Sequence, residues 1–126
     1  MKESNRVVIV DDNIDITGIF ADIFEIIGYK VVGIGHDGNE ALALFVKHKP
    51  DFIFLDVMMP GMNGIEALKL IKKDEPQAKV IMVTADNSTN TINELEKLKA
   101  TAIIIKPFKI EDIIQAMDGI EKEIKR

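Results

Sequence analysis

Apolar residues fall along this chain in two rhythms. Five short runs are continuous and mostly β-branched: Arg6 to Val10 (RVVIV), Lys30 to Ile34 (KVVGI), Phe52 to Leu55 (FIFL), Val80 to Thr84 (VIMVT) and Ala102 to Ile105 (AIII). Continuity rather than alternation is what strands covered on both faces require. Five other stretches carry helical spacing. In the last, Ile110, Ile113, Ile114, Met117 and Ile120 follow the i, i+3, i+4, i+7 rule. The first, Ile14 to Ile27, is so rich in Ile and Phe that it is expected to be mostly buried. Leu42 and Phe45 mark the second, and Ile65, Leu68 and Ile71 the third. The fourth, Ser88 to Leu98, has only Ile92, Leu95 and Leu98 for a core stripe and is expected to pack most loosely.

Strict alternation of strand and helix implies right-handed crossovers and a parallel sheet with helices on both faces. Punctuation agrees: Gly28 closes the first helix, Asp37-Gly38 opens the second and Lys49-Pro50-Asp51 ends it. There is no repeat, linker or low-complexity segment, and the tail GIEKEIKR completes the last helix. The expectation is one domain over residues 1–126, free-standing or a fragment of something longer.

Composition narrows the classes. The 126 residues are 47% hydrophobic and 29% charged, an ordinary globular balance. A net charge of -5 argues against gripping nucleic acid, which needs clustered positive charge. With no cysteine there is neither a disulfide framework nor a thiolate metal site, as suits a reducing compartment. The polar start MKESNR is no signal peptide, and no apolar run nears the ~18 residues needed to span a bilayer. A cytoplasmic address without membrane insertion is expected.

In an open parallel sheet, ligands sit outside the carboxyl ends of the strands. The residues closing the strands are Asp11 and Asp12 after the first, Asp56 after the third, Thr84 on the fourth and Lys106 after the fifth. The second ends in Gly35-His36 and offers nothing obvious. Three carboxylates brought together repel one another, and each tends to keep its proton. A hard divalent cation relieves this, and magnesium suits two or three carboxylates beside a phosphoryl group. A carboxylate nucleophile, a lysine and a hydroxyl for the equatorial oxygens make phosphoryl transfer the chemistry that fits. Taken singly, Asp12 or Asn13 reads equally as a helix cap, Thr84 as a turn residue and Lys106 as a solvated strand end. Asp56, at the end of a buried run, needs a partner.

The strings VIVDDN, LDVMMPGMNG, MVTA and IKPF, in this order and spacing, resemble the receiver domain of two-component response regulators over essentially the whole chain. The resemblance implies a flavodoxin-like, doubly wound (βα)5 fold with strand order 2-1-3-4-5. It implies that Asp56 accepts a phosphoryl group from the phosphohistidine of a sensor histidine kinase or phosphotransfer protein, and that the output is contact with a downstream protein target. Asp12, Asp56 and the Met58 backbone carbonyl would ligate Mg²⁺, with Asp11 acting directly or through water. Thr84 and Lys106 would hold the phosphoryl oxygens, and the Lys106–Pro107 peptide would be cis. Such a protein is a phosphoacceptor, with self-catalysed phosphorylation and dephosphorylation, rather than an enzyme. Passing the phosphoryl group onward in a phosphorelay is the alternative.

One departure stands out. The position three residues before the lysine, usually aromatic in receivers, is Ile103, and KLKA before it lacks the glycine often found there. Output is therefore expected through the polar segment DNSTNTINELEKLKA. Ile14 and Phe108 are expected to border the site as a kinase-docking surface. His36 and His48 read as surface loop residues, and Met58, Met59 and Met62 as loop packing. A metal-dependent aspartyl phosphatase would want a general acid two residues after Asp56, where Met58 stands. A flavodoxin-like phosphate loop would be repelled by Asp11 and Asp12.

Overall fold

A computed structural model describes residues 5–124. Residues 1–4, most of the polar start, and the last two residues of the tail lie outside them. The elements are β1 (Arg6–Val10), α1 (Ile14–Ile26), β2 (Lys30–Gly35), α2 (Gly38–His48), β3 (Phe52–Asp56), α3 (Gly64–Asp74), β4 (Val80–Thr84), α4 (Thr89–Lys97), β5 (Ala102–Ile105) and α5 (Ile110–Ile124). All strand pairs are parallel and the order is β2-β1-β3-β4-β5, as the resemblance implies. No helix among the described residues is long and apolar enough to cross a membrane.

The period of two along each strand divides the core. Val8 and Val10, Ile53 and Leu55, Val80 and Met82 face α2, α3 and α4, where Ala41, Phe45, Leu68, Ile71 and Leu95 meet them. Val7 and Ile9, Phe52 and Phe54, Ile81 and Val83 face the other layer, with Phe20 and Phe24 of α1 and Ile113, Met117 and Ile120 of α5. Buried on both faces, β1, β3 and β4 read as continuous apolar runs for this reason. The edge strands β2 and β5 are mostly half-exposed.

Three expectations about packing meet the structure differently. The first helix is not mostly buried: only Thr17, Phe20, Ile23 and Phe24 are, while Ile14 is 72% and Ile26 83% exposed. A helix lying on a sheet buries one stripe, and the apolar residues of α1 exceed it. Ile110 likewise stands out at 51% exposure, because the first turn of α5 projects past the stripe that begins at Ile113. The loosely packed fourth helix is as expected, with Leu95 its one buried residue and Ile92 and Leu98 partly covered.

Helix starts are fixed by short polar side chains. Asn13, Asp37, Asn63 and Ser88 each accept a backbone amide of the turn they open. The cap of α1 is Asn13, which leaves Asp12 free for other work. Lys49 and Lys99 take positive φ values of 44° and 63° at the ends of α2 and α4, the left-handed geometry that favours glycine. Lys99 falls in the stretch noted above for its missing glycine. Gly64 is required sterically, since a Cβ there would fall on the Asp56 carbonyl oxygen.

Candidate functional site: an acidic cluster at the carboxyl edge of the sheet

The edge where β1, β3 and β5 end brings together the acids that the strand termini carry. Asp11 and Asp56 are buried, Asp12 is exposed, and carboxylate oxygens of all three lie within 4.8 Å of one another. Lys106 Nζ sits 3.0 Å from Asp11 Oδ2 and 3.4 Å from Asp56 Oδ2, joining the two buried acids. Asp11 Oδ1 also accepts the Asn13 amide at 2.9 Å. The Lys106–Pro107 peptide is cis, as expected.

Neighbouring strands hold these residues by their backbones. The Lys106 amide donates to the Thr84 carbonyl at 2.8 Å, and the Val57 amide to the Val83 carbonyl at 2.9 Å. The Asp11 amide donates to the Gly35 carbonyl at 3.1 Å. His36 Nδ1 lies 3.0 Å from the Asp11 carbonyl oxygen. The end of β2, which looked empty of function, thus clamps both sides of the Asp11 residue. A polar ring placed directly after the strand that flanks β1 was the available signal. His36 is half-buried, and His48 closes α2 rather than lying in a loop, its carbonyl accepting Arg6 Nη1 at 2.7 Å.

The electrostatics follow from burial. Loss of water and the Asp11 charge push the Asp56 carboxyl up to about 6, with Lys106 and a Met58 backbone hydrogen bond pulling the other way. Burial works against the Lys106 ammonium, but the Asp11 hydrogen bond and the charges of Asp56 and Asp11 prevail and hold its pKa above the usual lysine value. One ammonium for three carboxylates leaves the cluster with excess negative charge. A hard, oxygen-seeking dication matches that donor set, with exposed Asp12 open to a hydrated ion.

Thr84 and Met58 are placed less simply. Thr84 is fully buried, and its hydroxyl bonds to the Asp86 backbone, accepting from N at 2.8 Å and donating to O at 3.2 Å. The Met58 side chain is 64% exposed, so loop packing describes Met59 and Met62 but not Met58. Ile103 is half-buried against the α2/α3/α4 side of the core. Of the expected docking pair, Ile14 is open to solvent, while Phe108 is half-buried with its ring stacked 4.6 Å from Phe20. Beside Lys106 a cavity of ≈ 680 Å³ is lined by Ile16, Ile19, Ile23, Pro107, Phe108 and Ile110.

A family model for the response regulator receiver domain matches residues 7–118. The chemotaxis protein CheY of Thermotoga maritima is 37% identical over 117 residues, which cover 93% of this chain and 98% of that protein. The sporulation initiation phosphotransferase F of Bacillus subtilis is 34% identical over 114 residues, 90% of this chain and 91% of its own. Among solved structures, a CheX-CheY-BeF3-Mg+2 complex from Borrelia burgdorferi is similar with a TM-score of 0.89 and 28% identity, covering 92% of this chain and 88% of that one.

Proposed function

The chain belongs to the response regulator receiver domain family, the phosphorylatable receivers of two-component signalling, and on that premise we propose that Asp56 is its phosphoacceptor. The observation that carries this is the gathering of Asp11, Asp12 and Asp56 within 4.8 Å around the one ammonium of Lys106. We take residues 1–126 as one receiver domain. An Asp56 carboxylate oxygen attacks the phosphorus of a partner's phosphohistidine, the P–N bond breaks, and the imidazole leaves with the bonding pair, giving an acyl phosphate. Burial makes this carboxylate more basic than an ordinary one, and a more basic oxygen is a better nucleophile.

Lys106, already within 3.4 Å of Asp56, is placed to follow the phosphoryl oxygens, and Asp11 keeps the ammonium charged and aimed. Asp12 and Asp56, with Asp11 and the Met58 carbonyl, would hold Mg²⁺, which supplies charge neutralisation at the transferring oxygens when bound. Gly64 keeps the chain after Asp56 close enough for α3 to pack beneath it.

The phosphodonor is a protein that docks on the apolar rim of α1 and the β5–α5 loop. Ile19 and Ile110 are each 51% exposed there, and the groove they flank reaches Lys106 itself. The downstream partner reads the β4–α4 loop and α4, the thinly anchored side of the molecule. Intact mass after incubation with Mg²⁺ and a small-molecule phosphodonor tests the central step. One phosphoryl group is expected on the parent and none on Asp56→Asn; full, persistent labelling of that variant refutes the assignment.

A further inference from the structure

The Thr84 hydroxyl is spoken for. It accepts from the Asp86 amide and donates to the Asp86 carbonyl, and such side-chain to backbone bonds compete with every other use of the group. Asp86 is exposed, yet its carboxylate is tied down on both oxygens. Oδ1 accepts the Ser88 amide at 2.9 Å, and Oδ2 accepts the Thr91 hydroxyl at 2.6 Å. Ser88 in turn caps α4, accepting the Thr91 amide at 3.3 Å and donating to Thr91 Oγ1 at 3.2 Å. A continuous chain of bonds therefore runs from the end of β4 to the first turn of α4. The Thr91 hydroxyl and the Ser88 amide hold the Asp86 carboxyl below its usual range, so it stays an acceptor through neutral pH.

From this geometry, and resting on the proposed role of Thr84, we infer that Asp86 and Thr91 are positioning residues: together they form a latch that keeps the Thr84 hydroxyl engaged with Asp86 instead of a phosphoryl group on Asp56. Opening the latch and loosening the start of α4 are then one event. When Thr84 turns to a phosphoryl oxygen it leaves the Asp86 amide and carbonyl. The loop that Asp86 anchors to Thr91 has lost its other end. Little resists the consequence, because Leu95 is the one buried residue of α4. Such a pair of alternative hydrogen-bond sets joined to a weakly held element is a two-state device. It needs no aromatic ring at position 103.

Thr91 separates this from any direct influence of Asp86 on the reacting atoms, since Thr91 bonds to the Asp86 carboxylate and not to Thr84. Three variants are compared with the parent: Asp86→Ala, Thr91→Val and Thr91→Ser, the last keeping the hydroxyl. The first measurement needs no phosphorylation. Three-bond couplings of a labelled Thr84 methyl report its χ1, expected as one rotamer in the parent and Thr91→Ser but averaged in Asp86→Ala and Thr91→Val. The second is the rate of labelling by a small-molecule phosphodonor with Mg²⁺. Thr91→Val is expected to be about three- to tenfold faster than the parent, the factor that one net hydrogen bond in the resting state represents. Thr91→Ser should match the parent. Unchanged Thr84 couplings in Thr91→Val overturn the latch, as does a rate change confined to Asp86→Ala. A parent that takes no phosphoryl group on Asp56 overturns the proposed function instead, and the couplings still decide the latch.

Discussion

Replacing Asp56 by asparagine should stabilise the unphosphorylated protein, and by an amount that depends on pH. The carboxyl moves from an ordinary 3.8 to about 6 on folding, for want of water and because of Asp11. A raised carboxyl pKa means the native state binds its proton more tightly than the unfolded chain does. Between about pH 4 and pH 6 the parent therefore loses stability as pH rises, and above that range the loss is complete. Two pKa units correspond to about 3 kcal/mol as an upper bound. Water relaxing around the exposed side of the cluster should leave roughly 1–2 kcal/mol of it. Asparagine removes the charge while keeping the shape, and Lys106 retains Asp11 at 3.0 Å, so no ammonium is stranded. Urea or thermal melts of parent and Asp56→Asn from pH 4 to pH 8, without Mg²⁺, measure this. The two should nearly coincide at pH 4 and diverge by pH 7, with the variant higher. A variant no more stable than the parent at pH 8 would show that the buried charge is already compensated, and the reasoning from burial and Asp11 would fail.

Other outcomes follow from the same geometry. Mg²⁺ should raise the parent's melting temperature but leave Asp12→Ala nearly unchanged, and an undiminished rise in that variant would remove Asp12 from the ligand set. Ile19→Ala and Ile110→Ala should slow labelling by a phosphorylated kinase several-fold while small-molecule labelling continues at the parent's rate; equal loss in both assays would mean a damaged site rather than a lost docking surface. Lys99→Gly should stabilise the fold by about 0.5–1 kcal/mol, because glycine relieves the left-handed backbone at φ 63° at some cost in chain entropy, and a lower melting temperature would contradict that.

How legible this was depends on what kind of fact is asked for. Which residues reach the carboxyl edge follows from strand ends alone, so Asp11, Asp12, Asp56 and Lys106 could be placed together from their spacing. The alternation of strands and helices carried the sheet as well. What a run of letters does not contain is the rotamer of Thr84, whose hydroxyl is bonded to the Asp86 backbone rather than turned to the acidic cluster. Nor does it contain the width of a buried stripe. Ile14, Ile19 and Ile26 have core chemistry but lie on the outward arc of α1, and Ile110 lies in a first turn that projects past the core. His36 was missed for a third reason: its contribution is to the backbone of the neighbouring strand's Asp11 and not to the carboxylates themselves.

The division of the core has a spectroscopic consequence. Phe20, Phe24, Tyr29, Phe52, Phe54 and Phe108 all sit on the α1/α5 side of the sheet, while the α2/α3/α4 side has Phe45. The sequence holds no tryptophan and a single tyrosine. That tyrosine precedes β2, at the end of the sheet opposite the acidic cluster, packed edge-on against Phe24 and Phe52. The only intrinsic fluorophore excited near 280 nm is thus on the wrong layer and at the wrong end to register events at Asp56 or α4. Titrations followed by native emission should be nearly silent even when binding is complete. A flat trace is what this architecture produces, and a tryptophan introduced at exposed Asn90 would give α4 a colour of its own.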